Sequence, residues 1–439
     1  MTIISVLYHQ LLAIFSHPTE LFVSVFAIVL LTETPYTIFI FLGVLYSYFR
    51  QVTSVSARVP YYPKVSCIIT AYSEGRDILI TLKSLEEQLY RGHIEVLLVI
   101  DGADVNKETL DVAMEYKKTF KANVKRSLKV IPKWHRGGHA SSSNLGVKLS
   151  TGELIMTLDA DTSCDNDMIS NMVQQFVDKN VVACSGTLRV RNINKNLLTK
   201  MQGIEYMLGI HLSKIALSNA NSVNNVSSAY GCYRRDFIIK NTTLWRNGSA
   251  EDLDFTLRLQ FFFKRHKNLK VTHSQDSIAH TEAPEKVWGL IKQRMRWDGD
   301  TYFIYIRRHL KRLLPKYLGW RTFFVTIFSG LFFHAIQPIV IVISLIYSVF
   351  VFPVHVIVPI YITVYIYYLV ISVFLFITFI LLVSERKKQD LAMWYVLPFM
   401  PFYSIFLKFV ATVAVLSEFF IKTHRDSTMA LTWVNKKVK

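Results

Sequence analysis

The stretch TGELIMTLDADTSCDND, residues 151–167, carries a strand and its acidic end. Leu154 to Leu158 are apolar or β-branched, which predicts a fully buried strand, and the chain then turns abruptly to Asp159, Ala160 and Asp161. Open α/β sheets bind ligands beyond the carboxyl ends of their strands, so two carboxylates there can hold a hard divalent cation against a ligand's phosphates. A polar turn after a buried strand explains an isolated Asp-x-Asp at least as well, so the company it keeps carries the weight.

On both sides of that strand, β-rich strings alternate with helical ones: Val65 to Thr70 with Asp77 to Gln88, Ile94 to Ile100 with Lys107 to Phe120, Ser127 to Ile131 with Ala140 to Leu149, and Leu154 to Leu158 with Asp165 to Val177. Such alternation predicts an α/β domain with a mostly parallel sheet and crossover helices. Ala71-Tyr72-Ser73-Glu74 follows the first strand and Asp101-Gly102-Ala103-Asp104 the second. Turns favour these residue types whatever their function, yet two acid-bearing turns at one sheet edge can form a pocket for a base and ribose. Lys133-Trp134-His135-Arg136-Gly137-Gly138-His139 then leads into a helix of small residues. Adjacent glycines let backbone approach an anion at a helix start, which reads as a phosphate seat, although a flexible basic loop fits as well. The P-loop pattern GxxxxGK[ST] is lacking.

Past the acid pair, Ser227 to Arg235 offers a small-residue bend with aromatic and basic neighbours, including Tyr230 and Cys232. Glu251-Asp252-Leu253-Asp254 opens an amphipathic helix, a place where acids also serve merely to complement the helix dipole. In Gln293-Arg294-Met295-Arg296-Trp297, residues 293, 296 and 297 share one helix face and present a donor, a cation and a flat ring. A structural tryptophan at a membrane interface is the competing account.

Of the 439 residues, 51% are hydrophobic, and the excess lies toward the two ends. Leu21 to Phe49, Phe323 to Phe352, Ile357 to Val383 and Ala392 to Phe420 are nearly uncharged and long enough for a bilayer core of about 20 apolar residues per helix. The first is interrupted at Thr32-Glu33-Thr34-Pro35, which admits one kinked span or two segments. A cleaved signal peptide is a poor account of Met1 to Phe15, which has no basic start and is read as an interfacial helix. The net charge of +18 comes mainly from cations beside the membrane runs, so no nucleic acid is inferred. Arg50, Arg58, Lys64, the cations from Arg307 to Lys316, and Glu385-Arg386-Lys387-Lys388 place the middle of the chain in the cytoplasm. Cys67, Cys164, Cys184 and Cys232 have no metal-ligand spacing, so neither a disulfide nor zinc is expected.

Taken together and in order, Glu74, Asp101, the Gly-rich loop from Arg136 to Asn144, Asp159-Ala160-Asp161, Glu251-Asp252 and Gln293-x-x-Arg296-Trp297 resemble the processive family-2 membrane glycosyltransferases, synthases of cellulose, chitin, hyaluronan and poly-N-acetylglucosamine. The resemblance covers roughly residues 60–300 by motif and the flanking spans by architecture. It implies a GT-A-type domain that uses a UDP-sugar, with UDP-N-acetylglucosamine the best match, and Mg2+ or Mn2+ to extend a polysaccharide. By position, Glu74, Asp101 and Asp159 would lie at the nucleotide, and Asp161, with Asp159, at the metal. Asp252, beside Glu251, would be the general base. Gln293, Arg296 and Trp297 would meet the diphosphate and the acceptor sugar, and Tyr230 and Cys232 the acceptor end. Where the family's loop reads glycine-lysine this chain has Gly138-His139, so Lys133 or Arg136 is the alternative phosphate-side cation, histidine being mostly neutral at pH 7 unless a neighbour raises its pKa.

The organisation expected is a membrane region over 1–50, a catalytic domain over 60–300, an interfacial amphipathic helix over 301–318, about three membrane segments over 320–421 and a basic tail over 422–439. The resemblance further implies an inner-membrane synthase whose spans help the glycan across, with room for an accessory export or regulatory subunit. A single-sugar transferase to a polyprenyl-phosphate lipid is the main alternative, and a non-enzymatic channel or scaffold the third reading. If all three C-terminal segments cross, the basic tail falls outside, against the positive-inside preference; a re-entrant segment at Pro398-x-x-Pro401 resolves the conflict.

Overall fold

The structure is a computed structural model and describes residues 18–53, 59–121, 124–246 and 248–425. The expected interfacial helix over Met1 to Phe15 and most of the basic tail lie outside the described residues.

Four parallel strands form the first half of the sheet: β1 (Val65–Ala71), β2 (Ile94–Asp101), β3 (Arg126–Lys133) and β4 (Leu154–Asp159). Between them run α1 (Ile78–Glu86), α2 (Lys107–Thr119) and α3 (Gly138–Leu149). The sheet continues with β5 (Ser163–Cys164), β6 (Val181–Val190), β7 (Tyr230–Arg234) and β8 (Lys270–Thr281), in the spatial order β3-β2-β1-β4-β7-β6-β8-β5. Both faces are covered, which is why β2 is buried along its whole length and reads as a continuous apolar run. Alternate residues feed two cores: Cys67, Ile69, Leu98 and Met156 on one face, Ile68, Leu97 and Ile155 on the other. Register sets the working edge, with Thr70 opposite Asp159 and Asp101 opposite Lys133, so the turns holding Glu74, Asp101, Lys133 and Asp159 meet at one rim.

The second half supplies the other wall. A capping box at Asn196 and Thr199 starts Leu197–Glu205, a helix that runs on through a wide turn into Ser213–Asn219. The acidic helix is Glu251–Gln260, and Gln293, Arg296 and Trp297 lie on Val287–Tyr302.

Among the described residues, four helices are long and apolar enough to cross a membrane: Leu30–Thr53, Trp320–Val351, Val354–Leu382 and Trp394–Ile421. The first belongs to one continuous helix, Pro18–Thr53, so Pro35 does not divide it. The amphipathic helix expected over 301–318 is replaced by short turns. Val287–Tyr302 widens over Phe303–Arg308 and stops where His309 is drawn inward to Asp254, 2.7 Å away. Beyond it come a 3-10 turn at Leu310–Arg312, four helical residues at Pro315–Leu318, and Gly319 with φ of +77°.

Candidate active site

Asp101 is buried at the end of β2, and its carboxylate accepts hydrogen bonds from Lys133 Nζ, from the Gly137 and Gly138 amides at 2.9 Å each, and from Ser142 Oγ at 3.1 Å. The anion cradled by the glycine-rich loop is thus the protein's own Asp101. The amides that sequence reading offered to a phosphate are taken, and Lys133 is tied down with them. Gly138, at φ +80°, makes the sharp entry into α3 that lets both amides point back at β2. Arg136 lies with its guanidinium 3.9 Å above the Tyr72 ring at the rim.

That turn delivers His139 between the two acid motifs, with Nδ1 2.8 Å from Glu251 Oε1 and Nε2 3.8 Å from Asp159 Oδ1. Burial opposes its charge, but the Glu251 hydrogen bond and the charges of Glu251, Asp159 and Asp252 prevail and raise its pKa to about 9. His139 is therefore cationic at neutral pH, the condition under which it can stand where the family has lysine.

The acids around it form one electrostatic unit. Burial, then the Asp161, Glu251 and Asp252 charges, push Asp159 up to about 6 against the pull of His139. Burial likewise raises Glu74 to about 7, aided by Asp161 and Asp159, and one of its oxygens, Oε2, is buried without a hydrogen-bond partner. Asp161 is raised by burial against the pull of Arg191, whose Nη1 donates to the Asp161 carbonyl at 2.6 Å. In Glu251 burial is outweighed by His139 and Arg296, which hold it low, whereas Asp252 is pushed up by burial and by Glu251. Asp252 accepts from the Ser228 amide at 3.2 Å and from Asn225 Nδ2 at 3.3 Å. The helix carrying both acids is entered through Ala250 in the left-handed region at φ +50°, so their direction depends on a turn that an L-residue adopts at a cost of about 1–2 kcal/mol.

Across from them, Arg296 is exposed and close enough to bias Glu251 and Asp300. Gln293 Oε1 is buried without a hydrogen-bond partner, and the Arg294 guanidinium, held by Glu205 at 2.8 Å, lies 4.5 Å above the Trp297 ring. Two sequence expectations are corrected. Tyr230 and Cys232 are fully buried on β7, Tyr230 bonded to Ser277 Oγ, so both belong to the core. One residue was missed. Asp300, one turn beyond Arg296 on the same helix, is buried and bonds Ser249 Oγ, just ahead of the acidic helix. Extending the face of 293, 296 and 297 by four residues would have found it.

Among the described residues, no group of three or more His, Cys, Asp or Glu side chains could hold a metal alone. Asp159 and Asp161 nevertheless fit Mg2+ or Mn2+, which are held by one or two carboxylates with phosphates and waters completing the shell. Burial first, and the neighbouring carboxylates after it, raise Glu74, Asp159 and Asp161, and a cation bound among them would lower all three.

Residues 66–242 match the family model described as glycosyl transferase family 2. Over those residues the chain resembles the family 2 glycosyltransferases. Its fold is of the GT-A type: a mannosyltransferase of Pyrobaculum calidifontis, solved in complex with GDP-Man and Mn2+, superposes with a TM-score of 0.58 at 15% identity over 91% of this chain and 99% of that one. Among curated proteins, the domain is similar to a poly-beta-1,6-N-acetyl-D-glucosamine synthase of Staphylococcus epidermidis, 26% identical over 257 residues, 58% of each chain. It is also similar to an N-acetylglucosaminyltransferase of Neorhizobium galegae, 25% identical over 246 residues, 55% of each chain. The chain thus spans little more than half the length of these relatives.

Proposed function

We propose that the protein is an inverting membrane glycosyltransferase that adds N-acetylglucosamine from UDP-N-acetylglucosamine to a growing β-linked polysaccharide. The observation carrying this reading is that Asp159, His139, Glu251, Asp252 and Arg296, from four separate stretches of sequence, interact as one charged cluster at the sheet's carboxyl rim. The relatives named for N-acetylglucosamine transfer support the choice of donor sugar.

In this reading Asp252 takes the proton of the acceptor hydroxyl. Its oxygen attacks the anomeric carbon from the face opposite UDP, and the carbon–phosphate-oxygen bond breaks with its electrons leaving on UDP. Of the two neighbouring acids Asp252 is the better base, because burial and the Glu251 charge raise it while His139 holds Glu251 low. Arg296 and Gln293 face the diphosphate, and Trp297 offers its ring to the terminal acceptor sugar. A divalent cation bound at Asp161 and Asp159 would supply Lewis-acid neutralisation of the diphosphate. The catalytic domain lies on the cytoplasmic side, where Arg50, Lys64 and Arg386 to Lys388 sit at the membrane boundary.

The test is incubation of the purified full-length protein, in lipid, with individual UDP-sugars and Mn2+, followed by UDP release and product sizing. Turnover of UDP-N-acetylglucosamine into high-mass polymer is expected. A single-sugar lipid product would replace this reading with transfer to a polyprenyl-phosphate carrier.

A further inference from the structure

The fourth apolar segment is fastened at both ends. Its leading end is fastened to the catalytic domain: the loop before it docks through Arg189 on Asp390 at 2.9 Å and Arg386 on Asp165 at 2.7 Å. Tyr403, in the first turn of Met400–Ile421, donates to Glu205 at 2.6 Å, and Glu205 also holds Arg294 of Val287–Tyr302. Its trailing end is fastened there too. Arg307 Nη2 donates to the Phe419 carbonyl at 2.8 Å and Nε lies 3.4 Å from Glu418, whose carboxylate also meets His424 Nδ1 at 2.7 Å. Gly299 runs so close to Ala414, Glu418 and Thr423 that a Cβ there would touch all three, and Val415 joins a core with Leu253 and Leu257 of the acidic helix.

From Tyr403 to Glu418 a helix advances about 22 Å, most of a hydrocarbon core. A segment crossing the bilayer would carry one of those residues to the far side, yet both are bonded to elements flanking the same helix, Val287–Tyr302. The outer face agrees: Phe402, Phe409, Val413, Leu416 and Phe420, spaced by seven, four, three and four, are exposed at 65%, 38%, 53%, 41% and 73%, while Tyr403, Val410, Ala414 and Glu418 are buried inward. Midway, Lys408 bonds Glu33 at 3.0 Å and Gln337 at 3.2 Å, so its charge is neutralised inside the bundle.

We propose that Met400–Ile421 stays on the catalytic domain's side of the bilayer, with its Phe402–Phe420 stripe in the hydrocarbon of the adjoining leaflet. The chain then crosses three times, through Leu30–Thr53, Trp320–Val351 and Val354–Leu382. Lys422, which ends the helix, then lies on the side of Arg386-Lys387-Lys388, in keeping with the positive-inside preference.

The experiment is labelling with a membrane-impermeant maleimide in intact and permeabilised cells. It uses full-length Lys422→Cys, Lys387→Cys and Pro353→Cys, with the four buried native thiols as background. Pro353, between the second and third crossings, should label in intact cells, while positions 387 and 422 label at least tenfold more strongly after permeabilisation. Labelling of 422 in intact cells at the level of 353 overturns the proposal. The readout needs no turnover, so it stands whatever becomes of the enzymatic assignment.

Discussion

Two aspartates two residues apart on one helix live in opposite electrostatic surroundings. Asp254 is completely buried and over-compensated: Arg258 Nε at 2.8 Å, His309 Nε2 at 2.7 Å and Arg308 at 3.3 Å surround it, and despite burial these partners hold its carboxyl far below the ordinary range. Asp252 meets only an amide and a side-chain amide beyond its own turn, and burial together with Glu251 pushes it up. A carboxylate surrounded by cations is a fastening. One left short of them is available to a proton, a metal or a substrate.

The most forceful way to break this contrast is Asp252→Asn. Turnover should fall by about 10²–10⁴-fold, the usual worth of a positioned general base, with the melting temperature nearly unchanged. Retained turnover would remove Asp252 from the chemistry. Asp254→Asn should do the reverse, lowering stability by about 3–5 kcal/mol as its cations lose their counter-charge, while turnover per folded molecule survives. Denaturant unfolding beside active-site titration separates the two. Asp161→Asn sharpens the picture at the metal side: EDTA should silence the wild type, Mn2+ should restore it, and the variant should need at least tenfold more Mn2+ for half-recovery. Equal Mn2+ demand would move the cation elsewhere.

The smallest effect expected is at Asp300. Burial raises its pKa to about 7, with the Glu251 and Asp252 charges adding to the rise and the Ser249 hydrogen bond and Arg296 opposing it. A carboxyl with a folded pKa above its unfolded value favours folding fully below about pH 4, and that contribution fades as pH climbs through about 7. Asp300→Asn, uncharged throughout, should flatten this window, melting a few degrees above the wild type at pH 8 relative to pH 5. An unchanged difference between the two pH values would show that Asp300 carries no buried proton.

The first half of the domain was legible because it is built of local patterns. The strands at Val65, Ile94 and Leu154 start at the expected residues, since uninterrupted apolar runs and their acidic ends are fixed by sequence neighbours. The second half was not. β7 looked like a bend because Tyr230-Gly231-Cys232-Tyr233 is a strand only by virtue of pairing antiparallel with β4, and β8 carries His273, Ser274, Gln275 and Asp276 in a span that periodicity cannot identify. The same limit governs the site. Residue types and order pointed to Asp159, Asp252 and Arg296, but that the glycine loop embraces Asp101, and that His139 is held charged by two acids, depends on contacts between distant segments.

The loop from Ser384 to Leu391 has a mechanical meaning. Arg386 reaches Asp165, which also takes His280 of β8, and Arg189 of β6 takes Asp390 and Glu385, so one short hoop moors the sheet's far edge to the foot of a bilayer-embedded helix. Charged side chains grip from both directions, which ties the orientation of the sheet to that helix. The position of the sheet's edge relative to that helix is therefore set by ion pairs as well as by packing.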